Sequence, residues 1–211
     1  MTTFLLIRHA LPHEGHGQSP ADPPLHPDGR RHAERLANRL QREGVDQVVS
    51  SPQQRALDTA RPLARLLGLQ PRVYDGLAEV DHGTDRYRSV DTLRREEPHR
   101  FAEFAASPAR FFGKDPEAYR RGVLQAFEQV LADGPSSCVA VFSHGMTIKT
   151  ILCAALGIDT SDARFLIGYC SVTRLSGPDL ARMRVDSVNE SLCWPSAPAR
   201  LCNKETVHAR P

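Results

Sequence analysis

The chain has 211 residues, of which 40% are hydrophobic and 25% are charged, a composition typical of a globular domain. Its 27 Lys and Arg residues nearly balance its 25 Asp and Glu residues, and the net charge is +2. Because no strong field favours nucleic acid or an acidic membrane, we expect one domain over residues 1–211 that binds neither.

The N-terminal apolar run, residues 4–7, is shorter than a secretory signal or a membrane span requires. The five cysteines are widely spaced and include no Cys-x-x-Cys pair, so the sequence indicates neither a disulfide framework nor a zinc site. We therefore expect a cytoplasmic protein with reduced thiols.

The first predicted element is a strand over residues 3–7, a continuous apolar run of a length typical of a buried strand. A loop rich in proline follows over residues 10–27 and cannot sustain a helix or a central strand. An amphipathic helix is then predicted from Asp28 to Gly44.

Residues 45–50 predict a second buried strand. Ser51 and Pro52 come directly after it, and serine before proline is typical of a helix start. The spacing of apolar residues predicts a helix from this point, which Pro62 should kink or break locally. A third short strand is predicted over residues 72–74.

The pattern changes at residues 76–121, where Asp, Arg, Glu and Pro dominate and phenylalanines are bunched together. We interpret this stretch as a partly helical insertion that lies over the core. Helical spacing returns over residues 116–132, and an apolar strand follows at 139–142. A further helix is predicted from Met146 to Gly157.

The C-terminal part predicts an antiparallel pair of strands at residues 169–175 and 181–187, followed by an irregular tail over 190–211. The order of elements predicts an α/β fold. We expect a three-layer α/β/α sandwich with a mixed, mainly parallel sheet and a partly helical cap insertion.

Two histidines follow directly after predicted buried strands. His9 comes after the first strand and His144 after the strand at 139–142, and loops at the carboxyl ends of strands are where α/β proteins bind ligands. One buried histidine alone would more simply donate to a backbone carbonyl, but two in the same setting favour a site. His13 and His16 do not resemble a metal-ligand set, and we assign them to loop polarity.

Arg8 precedes His9, and Arg55 lies close to the start of the second helix. A guanidinium group is planar, always charged and able to donate two parallel hydrogen bonds, which suits phosphate oxygens. The open amides of a helix N-terminus favour anions as well. Arg55 alone would be a solvated helical charge, but two arginines with two histidines predict a phosphate pocket.

Four motifs occur in an order that resembles the histidine phosphatase superfamily, the phosphoglycerate mutase-like fold. They lie within residues 3–157 and are Arg8-His9-Ala10, Ser51-Pro52-Gln53-Gln54-Arg55-Ala56 with Thr59-Ala60, Leu77-Ala78-Glu79, and Ser143-His144-Gly145. Each triplet is a weak signal, whereas all four in this order are a specific one.

The resemblance implies that His9 attacks phosphorus and forms a phosphohistidine, which water then hydrolyses. Arg8, Arg55 and His144 would supply the cations and donors that hold the phosphoryl oxygens. The scheme needs no metal and no other cofactor.

The leaving alkoxide needs a proton from a carboxyl group that stays protonated. Glu79 stands at the family's acid position, and Asp81 and His82 are alternatives because the sequence after Glu79 departs from the family's usual pattern. Gln18 is a further candidate for binding a phosphate oxygen. His26 stands where the family usually has a threonine that caps the next helix.

The function expected is metal-independent hydrolysis of a phosphomonoester, with a small phosphorylated metabolite as the substrate that the cap selects. Three alternatives stay open: a phosphoglycerate-type mutase, a protein phosphohistidine phosphatase, and a non-catalytic protein that binds a phosphate ligand. The sequence does not fix the oligomeric state, and a homodimer is one option.

Overall fold

We describe the protein from a computed structural model that covers residues 1–14, 20–133, 136–160 and 165–191. Gln18, His16 and the tail from residue 192 onward lie outside the described residues. The elements in chain order are β1 (Thr2–Arg8), α1 (Pro27–Leu40), β2 (Gln47–Ser50), α2 (Gln54–Leu67), β3 (Arg72–Val73), α3 (Val90–Glu96), α4 (Pro98–Ala106), α5 (Pro108–Phe111), α6 (Pro116–Ala132), β4 (Cys138–Ser143), α7 (Gly145–Leu156), β5 (Val172–Gly177) and β6 (Arg184–Glu190).

The six strands form one mixed sheet in the order β3-β2-β4-β1-β5-β6. The first four strands in this order run parallel to one another. β5 is antiparallel to β1, and β6 is antiparallel to β5. The prediction of a mixed, mainly parallel sheet is confirmed.

Side chains of β1 alternate between two hydrophobic cores, because successive residues of a strand point to opposite faces. Leu5 and Ile7 pack in the core that also holds buried residues of α1 and α2. Phe4 and Leu6 pack in the core built with α6 and α7. Helices therefore cover both faces, as the predicted α/β/α sandwich requires.

The start of α1 depends on two residues close to Pro27, His26 and Gly29. His26 caps the helix, because its Nδ1 accepts a hydrogen bond from the amide of Asp28 at 3.2 Å. A histidine thus performs the capping expected of a threonine. A Cβ atom at Gly29 would overlap the carbonyl oxygen of Leu11, so only glycine lets the preceding loop cross here. The helix ends at Leu40, earlier than predicted, and a turn continues to residue 44.

The predicted start of α2 was wrong, and the local break expected as one of two effects of Pro62 is absent. The helix begins at Gln54 rather than at Pro52, and the amide of Gln53 donates to the Ser51 hydroxyl at 3.3 Å before the helix starts. α2 also continues unbroken through Pro62. Proline removes one hydrogen-bond donor there, and packing of the buried face, which includes Leu63 and Ala64, offsets the loss.

The segment between β3 and α6 forms the cap. A short 3-10 helix, Asp75–Leu77, leads into loops and the three short helices α3, α4 and α5. Phe104 makes edge-to-face contacts with Phe111 and Phe112, which holds α4 against the end of α5. Among the helices in the described part of the chain, none is both long and apolar enough to cross a bilayer.

Candidate active site

The two histidines lie at the same edge of the sheet because their strands are parallel neighbours. His9 follows β1 and His144 follows β4, and Arg8 is paired in register with Ser143. The amide of His9 donates to the carbonyl of Ser143 at 2.9 Å, and the two imidazole centroids are 5.1 Å apart. Ser51 follows β2, the neighbour of β4 on its other side.

His9 is buried, with 3% of its surface exposed. Its Nδ1 lies 2.8 Å from the carbonyl oxygen of Ala10, and a carbonyl can only accept, so Nδ1 carries the proton. Burial and the charges of Arg55 and Arg8 lower the pKa of His9 well below its ordinary value. The ring is therefore neutral near pH 7, and its Nε2 holds a free lone pair.

His144 is fully buried and contacts Ser51, whose hydroxyl lies 2.7 Å from Nε2. Within the described ranges its Nδ1 has no hydrogen-bond partner. Burial, Arg55 and His9 lower the pKa of His144 well below its ordinary value. In the free protein His144 is thus a neutral member of the set of cations and donors that the sequence led us to expect.

Two arginines supply the positive charge of the site. Arg55 is fully buried and donates through its NH2 group to both oxygens of Asp81, at 2.7 and 3.0 Å. Burial alone would lower the pKa of Arg55, but Asp81 outweighs it and the pKa is raised. Arg8 donates to the carbonyl of Ile167 at 2.6 Å, and its guanidinium lies 4.0 Å from the ring centroid of Tyr169.

Several buried donors in this region lack a hydrogen-bond partner among the residues that the structure describes. They are Nε of Arg8, Nε and NH1 of Arg55, and Nδ1 of His144. NH1 of Arg55 lies 3.5 Å from Asp22 Oδ1, an ion pair without hydrogen-bond geometry. Unsatisfied buried donors are costly and rare, and an anion with several oxygens would satisfy these together. This donor set fits a phosphoryl group.

Glu79 is held by three donors. Its Oε2 accepts from the amide of Met146 in the first turn of α7 at 3.0 Å. Its Oε1 accepts from its neighbour Val80 at 2.9 Å and from the hydroxyl of Tyr119 at 3.1 Å. Burial and the nearby Asp81 nevertheless raise the pKa of Glu79. The raised pKa favours the protonated form of this carboxyl group, as a general acid requires.

The two alternative acids have different surroundings. Asp81 is buried and accepts from Arg55 and from Gln53, whose Nε2 lies 3.0 Å away. Both oxygens of Asp81 accept from the Arg55 guanidinium, so this carboxyl group is engaged in holding Arg55. His82 is exposed, and its carbonyl accepts from Lys114 at 2.9 Å. The contacts therefore favour Glu79 as the acid.

Sequence reasoning missed four residues that support the site. The side chain of Gln53 joins Asp81 to the backbone amide of Glu79. Tyr119 lies on α6, and Tyr87 and Tyr169 cover Arg55 and Arg8 respectively. Gln53 lies inside a recognised motif and could have been proposed from it. The tyrosines follow no motif or period, so only long-range contacts identify them.

A cavity of about 200 Å³ opens over these groups. Arg8, His9, Arg55 and Glu79 line one part of it, and the cap and α7 line the rest. In the described part of the chain, no group of three or more His, Cys, Asp or Glu residues has the arrangement to hold a metal ion. His13 stacks on His26, with ring centroids 5.8 Å apart.

Comparison with known proteins assigns the family. The model of the histidine phosphatase superfamily, branch 1, matches residues 4–190. The chain belongs to this superfamily. It is 30% identical over 167 residues to phosphoserine phosphatase 1 of Hydrogenobacter thermophilus, covering 76% of this chain and 79% of that protein. It is 27% identical over 165 residues to a probable phosphoglycerate mutase of Yersinia pestis, covering 75% of each.

The solved structure of a mycobacterial glucosyl-3-phosphoglycerate phosphatase superposes with a TM-score of 0.74. It is 25% identical, and the match covers 90% of this chain and 99% of the other. The family together with these phosphatase-named relatives identifies the protein as a phosphoric monoester hydrolase. The expected family, enzyme class and fold are confirmed.

Proposed function

We propose that this histidine phosphatase hydrolyses the phosphomonoester of a small metabolite through a phosphohistidine at His9, without a metal ion. The observation that carries the proposal is the state of His9. Its Nδ1 is bound to the Ala10 carbonyl, its pKa is lowered by burial and two arginines, and it lines the cavity. A neutral imidazole with a free Nε2 is a competent nucleophile.

In the first step Nε2 of His9 forms a bond to phosphorus as the bond from phosphorus to the ester oxygen breaks. The unsatisfied donors of Arg8, Arg55 and His144 hold the remaining phosphoryl oxygens. Glu79 gives its proton to the leaving alkoxide, which departs as an alcohol. The charge that develops on the phosphoryl group is thus met by arginine, in the role a metal ion would otherwise fill.

In the second step a water molecule attacks the phosphohistidine. The ionised Glu79 accepts a proton from this water, the bond from phosphorus to Nε2 breaks, and inorganic phosphate is released. His9 and the protonated Glu79 are regenerated.

The name of the Yersinia pestis relative keeps a mutase as the second candidate. A mutase uses the same intermediate but transfers the phosphoryl group to a substrate hydroxyl. The product distinguishes the two, because a phosphatase releases phosphate and a mutase forms a rearranged ester. A phosphorylated protein is a less suitable substrate, since the cap residues Tyr87, Val90 and Phe104 line the cavity and leave room for a small molecule.

The test measures phosphate release from a panel of small phosphomonoesters with EDTA present. We expect the wild-type enzyme to be active, His9→Asn to lose about 10³-fold or more in kcat/KM, and the exposed control His99→Asn to stay within about twofold. Alkaline quenching with ³²P-labelled substrate should trap label on His9. Inactivation by EDTA, or full activity of His9→Asn, would refute the proposal.

A further inference from the structure

The part of the cavity beyond the phosphate-binding donors has apolar walls. The cap contributes residues from α3, α4 and the end of α5, α7 contributes one residue from its first turn, and the chain before β5 contributes two. These residues are Val90, Phe104, Phe112, Met146, Phe165 and Ile167. Three separate regions of the fold thus present hydrocarbon to the same space, next to the point where an ester oxygen would leave.

The charged groups on these walls are largely engaged within the protein. Arg88 forms ion pairs with Glu96 at 3.2 Å and with Glu97 at 3.6 Å. Asp81 is paired with Arg55. Neither group is free to bind hydroxyl or ammonium groups of a substrate.

Lys149, on the second turn of α7, is the exception. It is half-buried, and its ammonium group has no ion-pair partner within 4.0 Å among the residues described. Its alkyl stem can extend the apolar wall while the charge stays toward solvent. A cation at the wall disfavours a substrate that itself carries a cation.

We propose that the alcohol part of the substrate is a hydrocarbon body, so that the enzyme prefers alkyl or aryl phosphates to sugar phosphates and to phosphorylated amino acids. The proposal rests on the phosphatase activity proposed above and names its substrate class. Hydroxyl or ammonium groups placed against these walls would lose water without gaining a partner, whereas methylene groups would gain contact.

The first experiment compares primary alkyl phosphates, whose leaving groups are similar in reactivity. We expect kcat/KM to rise about fourfold for each methylene from ethyl to hexyl phosphate, the factor that corresponds to burial of one methylene. Hexyl phosphate should exceed glucose 6-phosphate, phosphoserine and phosphoethanolamine by about tenfold or more. Equal kcat/KM values from ethyl to hexyl phosphate, or a higher kcat/KM for any of the three polar esters than for hexyl phosphate, would overturn the inference.

The second experiment assigns the preference to the wall. Phe104→Ala should lower the ratio of kcat/KM for hexyl over ethyl phosphate by about tenfold. Phe101→Ala is the matched control, because Phe101 lies on the same helix and does not line the cavity, and it should keep the wild-type ratio. A variant that merely folds poorly would lower kcat/KM for both substrates by the same factor. An unchanged ratio in Phe104→Ala would contradict the proposal.

The two proposals fail in different ways. If phosphate release requires a metal ion or survives loss of His9, the proposed mechanism is wrong. If all esters are hydrolysed through His9 but without preference for hydrocarbon, the mechanism stands and only the substrate class is wrong.

Discussion

A hydrogen bond to the backbone decides which nitrogen of His9 is free to react. The Ala10 carbonyl takes the Nδ1 proton, and burial beside two arginines prevents a second proton from binding at Nε2. In the proposed mechanism Glu79 has the opposite requirement, because a general acid must hold its proton, and burial with Asp81 nearby raises the pKa of Glu79. The surroundings thus shift the pKa values of two groups in one cavity in opposite directions, downward for His9 and upward for Glu79.

Tyr119 tunes the acid and gives a prediction for Tyr119→Phe. Its hydroxyl donates to Oε1 of Glu79, which stabilises the ionised form. Removing this donor should raise the pKa of Glu79, so the enzyme should keep its protonated acid to higher pH. We expect the alkaline limb of the kcat profile to move to higher pH, with kcat at the optimum lowered less than about tenfold.

The matched control for this prediction is Tyr74→Phe. The hydroxyl of Tyr74 donates to Asp133, and Tyr74 does not line the cavity, so the pH profile should not change. An alkaline limb that stays in place or moves to lower pH in Tyr119→Phe would show that Tyr119 does not act on Glu79.

At the scale of elements, the segment that leads to Glu79 is fixed at several points. The carbonyl of Leu77 accepts from the hydroxyl of Ser143 at 2.8 Å, and that of Ala78 accepts from Thr147 at 3.0 Å. Gly76 packs so closely on α6 that a Cβ atom there would lie 2.6 Å from the carbonyl oxygen of Gly122. These contacts place Glu79 beside the N-terminus of α7, where Met146 donates to it.

Gly76→Ala should therefore destabilise the protein, because backbone atoms of a helix cannot move aside easily. We expect a loss of roughly 1–3 kcal/mol in the free energy of unfolding, measured by urea denaturation. Gly122→Ala is the matched control: its Cβ would meet nothing within 4 Å and it lies in a helix interior. It should stabilise by about 0.5–1 kcal/mol. Equal stability of Gly76→Ala and wild type would contradict the close packing.

At the scale of the whole molecule, the fold buries His9 and His144 in their neutral form and holds their pKa values well below the ordinary one. In the unfolded chain both histidines have a pKa of about 6.5. As pH falls below this value the unfolded chain takes up protons that the folded chain does not, so folding loses stability. Glu79, whose pKa is raised, acts with the opposite sign.

We therefore expect the free energy of unfolding to fall between pH 7.5 and pH 5.5, with each histidine contributing at most about 1.4 kcal/mol per pH unit. The free energy of unfolding of the double variant His9→Asn/His144→Asn should depend less steeply on pH over this range. Because Glu79 is present in both proteins, the difference between the two slopes reports the contribution of the histidines. Urea denaturation at both pH values measures it. Equal slopes would mean that the two rings bind protons in the folded protein.

The sequence alone determined the elements and the position of the reactive groups along the chain. Apolar runs and helical spacing are local, so strands such as β1 and β4 could be predicted, and His9 and His144 could be placed at strand ends. Arg8 lies within one of the four motifs, and the family could be predicted from those motifs. A local break at Pro62 was one of the two effects that the pattern predicted, and it is absent because the helix propensity of a few residues is weaker than the packing of a buried face.

Only the tertiary structure decided which strands are neighbours and what surrounds each reactive group. β4 lies between β2 and β1 although it comes much later in the chain, and this order brings Ser51, His144 and His9 together. Asp81 accepts a hydrogen bond from Arg55, which lies 26 positions earlier in the chain. Such pairings depend on the shape of the folded chain, which no local pattern encodes.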